Sequence, residues 1–322
     1  MNLIRLWLVT IAILAAAPQA ALAQPTYPSK PIRFIIPFAP GGATDIMARM
    51  IGQKLTEAWG QPVVVESKPG ANGIIASEAT AKAAPDGYTM LLAVLSTHAT
   101  NVSLYSKLPY DPVRDFTPVV LMAYTPLVLV VPAASPFKSV KDLVDAARAK
   151  PGQLNFSAGT ATIHLTGELF KSVTGTDITA VPYKGTVPGL MAVMSGEVGF
   201  TFEPPVTALP QIKGGRVRAL AVTSPRRSPL LPDVPTVQET GVPSFEAYSW
   251  FGIMMPAGVP REITAKMESE VLRILTLPDI KEKLAASGLD LLPMTGERFA
   301  AFAKIETEKW AKTIKASGMK IE

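Results

Sequence analysis

The sequence predicts an α/β fold of two lobes, and three observations carry that expectation. Short apolar, β-branched runs alternate along the chain with windows of helical hydrophobic period, the pattern of strands covered by helices. The 322 residues suffice for two domains of ~150 residues each. The run Phe116 to Val131 is apolar for longer than a strand of about 5 or 6 residues. It is interrupted by Tyr124-Thr125-Pro126, as though one strand ended and another began across a hinge.

The first segment stands outside the alternation. Met1 to Arg5 carries one positive charge, Leu6 to Ala17 is a largely apolar run of 12 residues, and Ala21-Leu22-Ala23 offers the small residues a signal peptidase accepts. This is the make-up of a secretory signal peptide spanning 1–23, with cleavage expected after Ala23. A membrane anchor needs about 20 apolar residues, and this run is shorter and meets Pro18 and Gln19. Removing 23 of the 322 residues and the charge of Arg5 leaves 299 residues at +4. No cysteine follows the apolar run, so no lipid attachment is expected, and no later window is long and apolar enough to span a bilayer.

Strands are then expected at Ile32 to Pro37, Val63 to Glu66, Thr89 to Leu95, Val119 to Val131, Leu154 to Ser157, Thr179 to Pro182, Val198 to Phe202, Arg218 to Thr223 and Trp250 to Met255. Between them lie helical windows. From Ala43 to Trp59, Ile46, Met47, Met50, Ile51 and Leu55 share one stripe, with Arg49, Gln53, Lys54 and Glu57 elsewhere. Such a stripe is core rather than a binding surface. Similar windows run from Val140 to Ala149, Thr160 to Val173, Val187 to Met194, Arg261 to Leu275, Pro278 to Ala286 and Glu297 to Ala316. The stretch after Trp250 to Met255 reads as all-helical, unable to form a sheet domain of its own. If it returns to the first domain, two strands cross between the lobes. The boundaries expected are 24–125 with 250–322 for lobe one and 126–249 for lobe two.

Composition removes whole classes of function. With 48% hydrophobic residues the chain is no disordered tail, and with no cysteine it has no disulfide scaffold, thiolate metal site or cysteine nucleophile. The net charge of +5 is scattered, its densest stretches being Arg216-Val217-Arg218 and Arg226-Arg227, which is no stripe for nucleic acid. Two histidines make no metal cluster, and no metal or other cofactor is expected.

The loops carry the chemistry. After the first strand, Pro37-Phe38-Ala39-Pro40-Gly41-Gly42-Ala43-Thr44-Asp45 combines stiffening prolines with two glycines just before a helix, whose free N–H groups and dipole favour an anion. The layout recurs at Asn155-Phe156-Ser157-Ala158-Gly159-Thr160, before a helix containing His164, and at Val181-Pro182-Tyr183-Lys184-Gly185. Three such loops point to an anion clamped between lobes, although any one glycine commonly serves only its turn. Nucleotide motifs fail on spacing: Gly41-Gly42 is not followed by Lys-Ser/Thr, and no GxGxxG occurs. Asn155 to Gly159 lacks the first glycine of a nucleophile elbow, and no acid at a recognisable position completes a triad with His98 or His164.

Taken together, Ile36 to Asp45, Ser96-Thr97-His98-Ala99 with Asn101, Leu108-Pro109-Tyr110-Asp111-Pro112, Val181 to Gly185, and Ala219 to Glu239 with Leu231-Pro232-Asp233-Val234-Pro235-Thr236 resemble the Bug-type substrate-binding receptors of tripartite tricarboxylate transporters. The resemblance covers essentially the whole chain after residue 23. It implies a type 2 periplasmic-binding-protein fold, two α/β lobes joined by two crossing strands, closing as a monomer over a small carboxylate and delivering it to inner-membrane transporter subunits. Phe38, Ala39, Gly41 and Gly42 would form the lobe-one loop with Ser96 and Thr97 beside it. Ser157, Ala158, Gly159, Thr162, His164, Tyr183, Lys184 and Gly185 would come from lobe two. Asp45 either meets ligand or stabilises its own helix N-terminus.

Two positions depart from the family pattern, which commonly has aspartate where this chain has Gly199 and Glu203. Glu203 would either face the cleft or point into solvent beside Pro204-Pro205, and Lys184 would line the cleft or be an exposed cation. Two other readings stay open: a secreted small-ester hydrolase using Ser157 and His164, and a chemosensory binding protein of the same fold.

Overall fold

Eleven strands and ten helices are formed by the described chain, residues 27–183, 185–243 and 245–320 of a computed structural model. The expected signal peptide and Lys184 lie outside the described residues. The strands are β1 (Ile32–Ile36), β2 (Val63–Ser67), β3 (Thr89–Val94), β4 (Phe116–Pro126), β5 (Val128–Pro132), β6 (Asn155–Ala158), β7 (Thr179–Pro182), β8 (Thr201–Glu203), β9 (Val217–Val222), β10 (Tyr248–Pro256) and β11 (Asp290–Thr295). The helices are α1 (Ala43–Trp59), α2 (Ile74–Ala81), α3 (Asn101–Leu104), α4 (Val140–Ala149), α5 (Ala161–Thr174), α6 (Thr186–Ser195), α7 (Pro205–Lys213), α8 (Arg261–Thr276), α9 (Pro278–Ala286) and α10 (Gly296–Ser317).

The strands form two sheets. The first has the order β11-β4-β10-β3-β1-β2. In the second, β8-β5-β9 meets the pair β6-β7 through a parallel bridge from Phe156 to Phe200, where the Ser157 N–H donates to the Phe200 carbonyl at 3.1 Å. All six residues of β3 are buried, as expected of a central strand covered on both faces. The α1 stripe packs as its period requires, with Met47, Ile51 and Leu55 fully buried.

The C-terminal part is not all-helical. It adds β11, whose apolar run is interrupted by Pro293 and so does not show a strand pattern. β11 is an edge strand pairing only with β4, and Pro293 falls at the register shift between Leu291 and Met294, where an edge strand tolerates the missing donor. The short helices α2, α3 and α7 lie outside the expected helical windows.

The chain leaves the first sheet at Leu127. Tyr124-Thr125-Pro126, expected to interrupt the strand, stays in β4 and pairs with Trp250, Ser249 and Tyr248. Thr223, fully buried at the end of β9, ties the crossing together. Its hydroxyl oxygen accepts the Leu127 N–H at 2.8 Å, its own N–H donates to the Leu127 carbonyl at 2.9 Å, and its carbonyl accepts the Ala247 N–H at 3.1 Å. The hydroxyl also contacts the Ala247 carbonyl just before β10 begins.

Strand direction then fixes where loops meet. β1 and β3 run parallel, and β10 is antiparallel to both β3 and β4, so β1, β3 and β4 end at one edge. β5 starts from that edge. β8 and β9 are antiparallel to β5, and β6 and β7 run with β8, so all four end there. On one side α10 closes the molecule, packing on β4, on the helical turn Ser96–Thr100 and, across the sheets, on α5, with Trp310 fully buried.

Thr223→Val keeps the shape but leaves the Leu127 N–H without its acceptor, at a cost of about 2 kcal/mol. Urea unfolding should show the midpoint falling with an unchanged slope; an unchanged midpoint would mean that the crossing does not depend on this hydroxyl.

Candidate functional site

The first-sheet edge begins where β1 ends. Pro37 is buried, and Phe38, Ala39, Gly41 and Gly42 then run exposed into α1. The Ser67 hydroxyl donates to the Phe38 carbonyl at 2.8 Å and fixes the loop's start. Gly41 has φ +93°, a conformation L side chains rarely adopt, so the glycine is required there; Gly42, at φ −89°, carries no such requirement. No side chain caps α1, which leaves first-turn N–H groups unused by the helix.

Asp45 is occupied within its own loop. One carboxylate oxygen accepts the Gly41 N–H at 3.0 Å, and the other lies 2.9 Å from the Arg49 Nε. The Arg49 guanidinium holds this carboxyl below the usual range. Asp45 therefore shapes the loop instead of presenting a free charge.

Beside it, Ser96 and Thr97 open a turn of π-helix after β3. Their hydroxyls differ. Thr97 Oγ1 donates to the Val94 carbonyl at 2.9 Å and accepts the Val94 N–H at 3.0 Å, whereas the buried Ser96 Oγ has no protein partner. Between this turn and the β1 loop lies a segment the sequence reading missed, Gly70 to Gly73. Ala71 and Asn72 there have positive φ of 44° and 53°, and the Asn72 side chain donates to Asn101 at 2.8 Å. The Pro69-Gly70-Ala71-Asn72-Gly73 string is a turn signal that could have exposed it.

At the second-sheet edge, the loops after β6 and β7 are stitched to each other. The Gly185 N–H donates to the Gly159 carbonyl at 3.0 Å, and the Tyr183 N–H to the Ala158 carbonyl at 3.3 Å. A Cβ on Gly159 would lie 2.3 Å from the Gly185 oxygen, so this approach admits only glycine. The two helices that follow are not equivalent. The Thr160 hydroxyl caps α5 by accepting the Ile163 N–H, while α6, entered through Gly185 at φ +114°, has no side-chain cap.

Other expected residues are turned inward or along the surface. The Ser157 hydroxyl is fully buried and donates to Thr201 Oγ1 at 2.8 Å. His164 is partly exposed on α5, its Nε2 3.7 Å from Glu168. Ser157 thus has no bond to an imidazole base. Thr162 gives its carbonyl to the Thr166 hydroxyl, and Tyr183 donates its hydroxyl to Glu197 at 2.8 Å. Among the described residues, no group of three His, Asp or Glu side chains could hold a metal.

Glu203 does not point into solvent: it is fully buried at the end of β8, paired in register with Val128 beside the crossing. One carboxyl oxygen accepts the Thr207 hydroxyl at 2.7 Å and the other has no protein partner. Burial pushes its pKa up to about 7, the Thr207 bond opposing it. Gly199 has a packing reason of its own, since a Cβ there would lie 2.7 Å from Leu154.

A carboxyl whose pKa is raised in the folded state favours folding when protonated, and that contribution fades as pH rises from the unfolded value through about 7. Glu203→Gln should match the wild type near pH 4 and become the more stable protein by up to about 3 kcal/mol at pH 8. Urea unfolding at the two pH values measures the gap, and a gap independent of pH would contradict the burial argument.

The arrangement is matched by known proteins. The model of the tripartite tricarboxylate transporter family receptor covers residues 47–319. Protein BugT of Bordetella pertussis is 37% identical over 326 residues, covering 100% of both chains. R. palustris Rpa4515, solved with adipate, is 36% identical with a TM-score of 0.79, over 91% of this chain and 99% of its own. MatC from Rhodopseudomonas palustris, solved with bound malate, is 32% identical with a TM-score of 0.74, over 89% of this chain and 100% of its own. Among the described residues no helix is long and apolar enough to cross a membrane. The chain belongs to the tripartite tricarboxylate transporter receptor family of Bug-type periplasmic solute-binding proteins, a family of receptors and not of enzymes.

Proposed function

We propose that this chain captures a small carboxylate between its two sheets and delivers it to inner-membrane transporter subunits, acting as a monomer, with 24–125 and 250–322 as one lobe and 126–249 as the other. The observation that carries this reading is a pair of uncapped helix N-termini, α1 and α6, at the two sheet edges where the chain crosses. Unused N–H groups and helix dipoles hold an anion without a fixed cation. The neighbours solved with adipate and malate support carboxylates as the class.

Phe38, Ala39, Gly41, Gly42 and Ser96 meet the ligand from one side; Gly159 and Gly185, with the first turn of α6, meet it from the other. Asp45, Thr97 and Ser157 hold those loops in shape through bonds already described. Capture is a population shift: a ligand that touches both lobes favours the closed form by the difference in its affinity for the two. Micromolar binding needs about −8 kcal/mol, within reach of several such bonds and the burial of an apolar ligand body.

A thermal-shift panel of adipate, malate, citrate, benzoate and aspartate tests this. A true ligand at a hundred times its Kd adds about 2.7 kcal/mol of stability. Gly41→Val should abolish that shift while the unliganded protein remains folded. Shifts retained by the variant would sink the loop assignment, and no shift with any carboxylate would sink the ligand class.

A further inference from the structure

A contact between the two halves lies next to the buried carboxyl of Glu203. Gly288, in the turn from α9 to β11, packs against Pro205 and Leu230: a Cβ on it would lie 3.1 Å from the Pro205 Cβ and 3.7 Å from the Leu230 Cδ1. The Thr125 hydroxyl, donating to the Gly288 carbonyl at 3.0 Å, fixes this turn to β4. On the other half, Pro204 and Pro205 follow Glu203 directly, so the end of β8 and the start of α7 meet the turn as one stiff piece.

Side chains along β8 alternate between its faces. Phe202 packs on Phe170 of α5, whereas Thr201 accepts the Ser157 hydroxyl on the other face, which Glu203 shares. α5, with His164, Glu168 and Lys171, therefore lies across the sheet from Glu203. On the Glu203 side, α6 has no charged residue and α7 only Lys213, at its last position, while Tyr183 and Glu197 bond each other. Near the contact, the turn leads to Asp290, in register with Tyr124, and the loop holding Leu230 carries the exposed Arg226. None of these groups shifts the proton affinity of Glu203, which burial raises and the Thr207 bond lowers. The carboxyl is thus dry, without a cation among the described residues, and one of its oxygens has no protein partner.

Such a carboxyl is stable with its proton and uncompensated without it. Parting Pro205 from Gly288 opens a way for water to the end of β8, and water is what the ionised form lacks. We infer that Glu203 is a proton-controlled catch on the cleft, protonated and dry while the halves are together, ionised and hydrated once they part. This rests on the two-lobed capture proposed above and adds its regulation. The sign follows from the tighter proton binding of the closed form: low pH holds that form, and its advantage is lost as pH rises through about 7.

The absence of cysteine lets spin labels be placed through Gln53→Cys on α1 and Met191→Cys on α6, both exposed, and the distance between them is recorded by pulsed electron resonance without ligand. Between about pH 5 and about pH 8 the ratio of longer-distance to shorter-distance populations should rise by up to about a hundredfold, as the gap between about 7 and the ordinary carboxylate range requires. Glu203→Gln should show a distribution independent of pH. Thr207→Val, which removes the bond favouring ionisation, should move the midpoint to higher pH. A ratio that ignores pH, one that changes as much in Glu203→Gln, or a Thr207→Val midpoint no higher than that of the wild type overturns the inference. Each of these leaves carboxylate capture standing, which fails separately if no compound of the thermal-shift panel binds.

Discussion

The fold depends on the way Thr223 fastens the passage between the sheets. One buried residue engages Leu127, where the chain leaves the first sheet, and Ala247, where it is about to return. A hydroxyl sealed from water must have its polar functions met, and here the partners are main-chain groups of two segments that would otherwise be independent. Because β4 exits and β10 enters at this point, the strand ends of both sheets gather at the same place. Every loop with a claim on ligand is a loop at one of those ends.

At those ends recognition falls to the backbone. The charged residue nearest the first loop, Asp45, is already engaged by Gly41 and Arg49 and adds little free charge. α5 caps itself through Thr160, whereas α1 and α6 do not. The scattered +5 of the sequence therefore says little about the ligand. Glu203 is the counter-example, a carboxyl buried beside the crossing whose protonation is tied to that burial.

Much of this was legible in the sequence, and what was not has physical reasons. Alternating strand and helix periods gave α1, α4 and α9 to the residue, because hydrophobic spacing is local information. Tyr124-Thr125-Pro126, expected to break the long apolar run, stays in the strand because it pairs with β10, and the break between β4 and β5 falls at Leu127. β11 was hidden by Pro293, whose placement at a bulge becomes visible only once its neighbour is known. The glycine-bearing loops were evident from composition. Which hydroxyls are spent was not: Thr97 and Ser96 look alike in sequence, and only the fold commits one to Val94 and leaves the other without a partner.

The C-terminal helix α10 has a mechanical consequence. It rests on the first sheet and also touches α5 of the second, on one side of the molecule. The Thr223 fastening is another place where the two halves are joined. Two fixed points define a line, and a rotation that preserves both contacts can only turn about it. A motion of the halves that kept both contacts would open them as covers bound along one spine, the excursion of any loop set by its distance from that line.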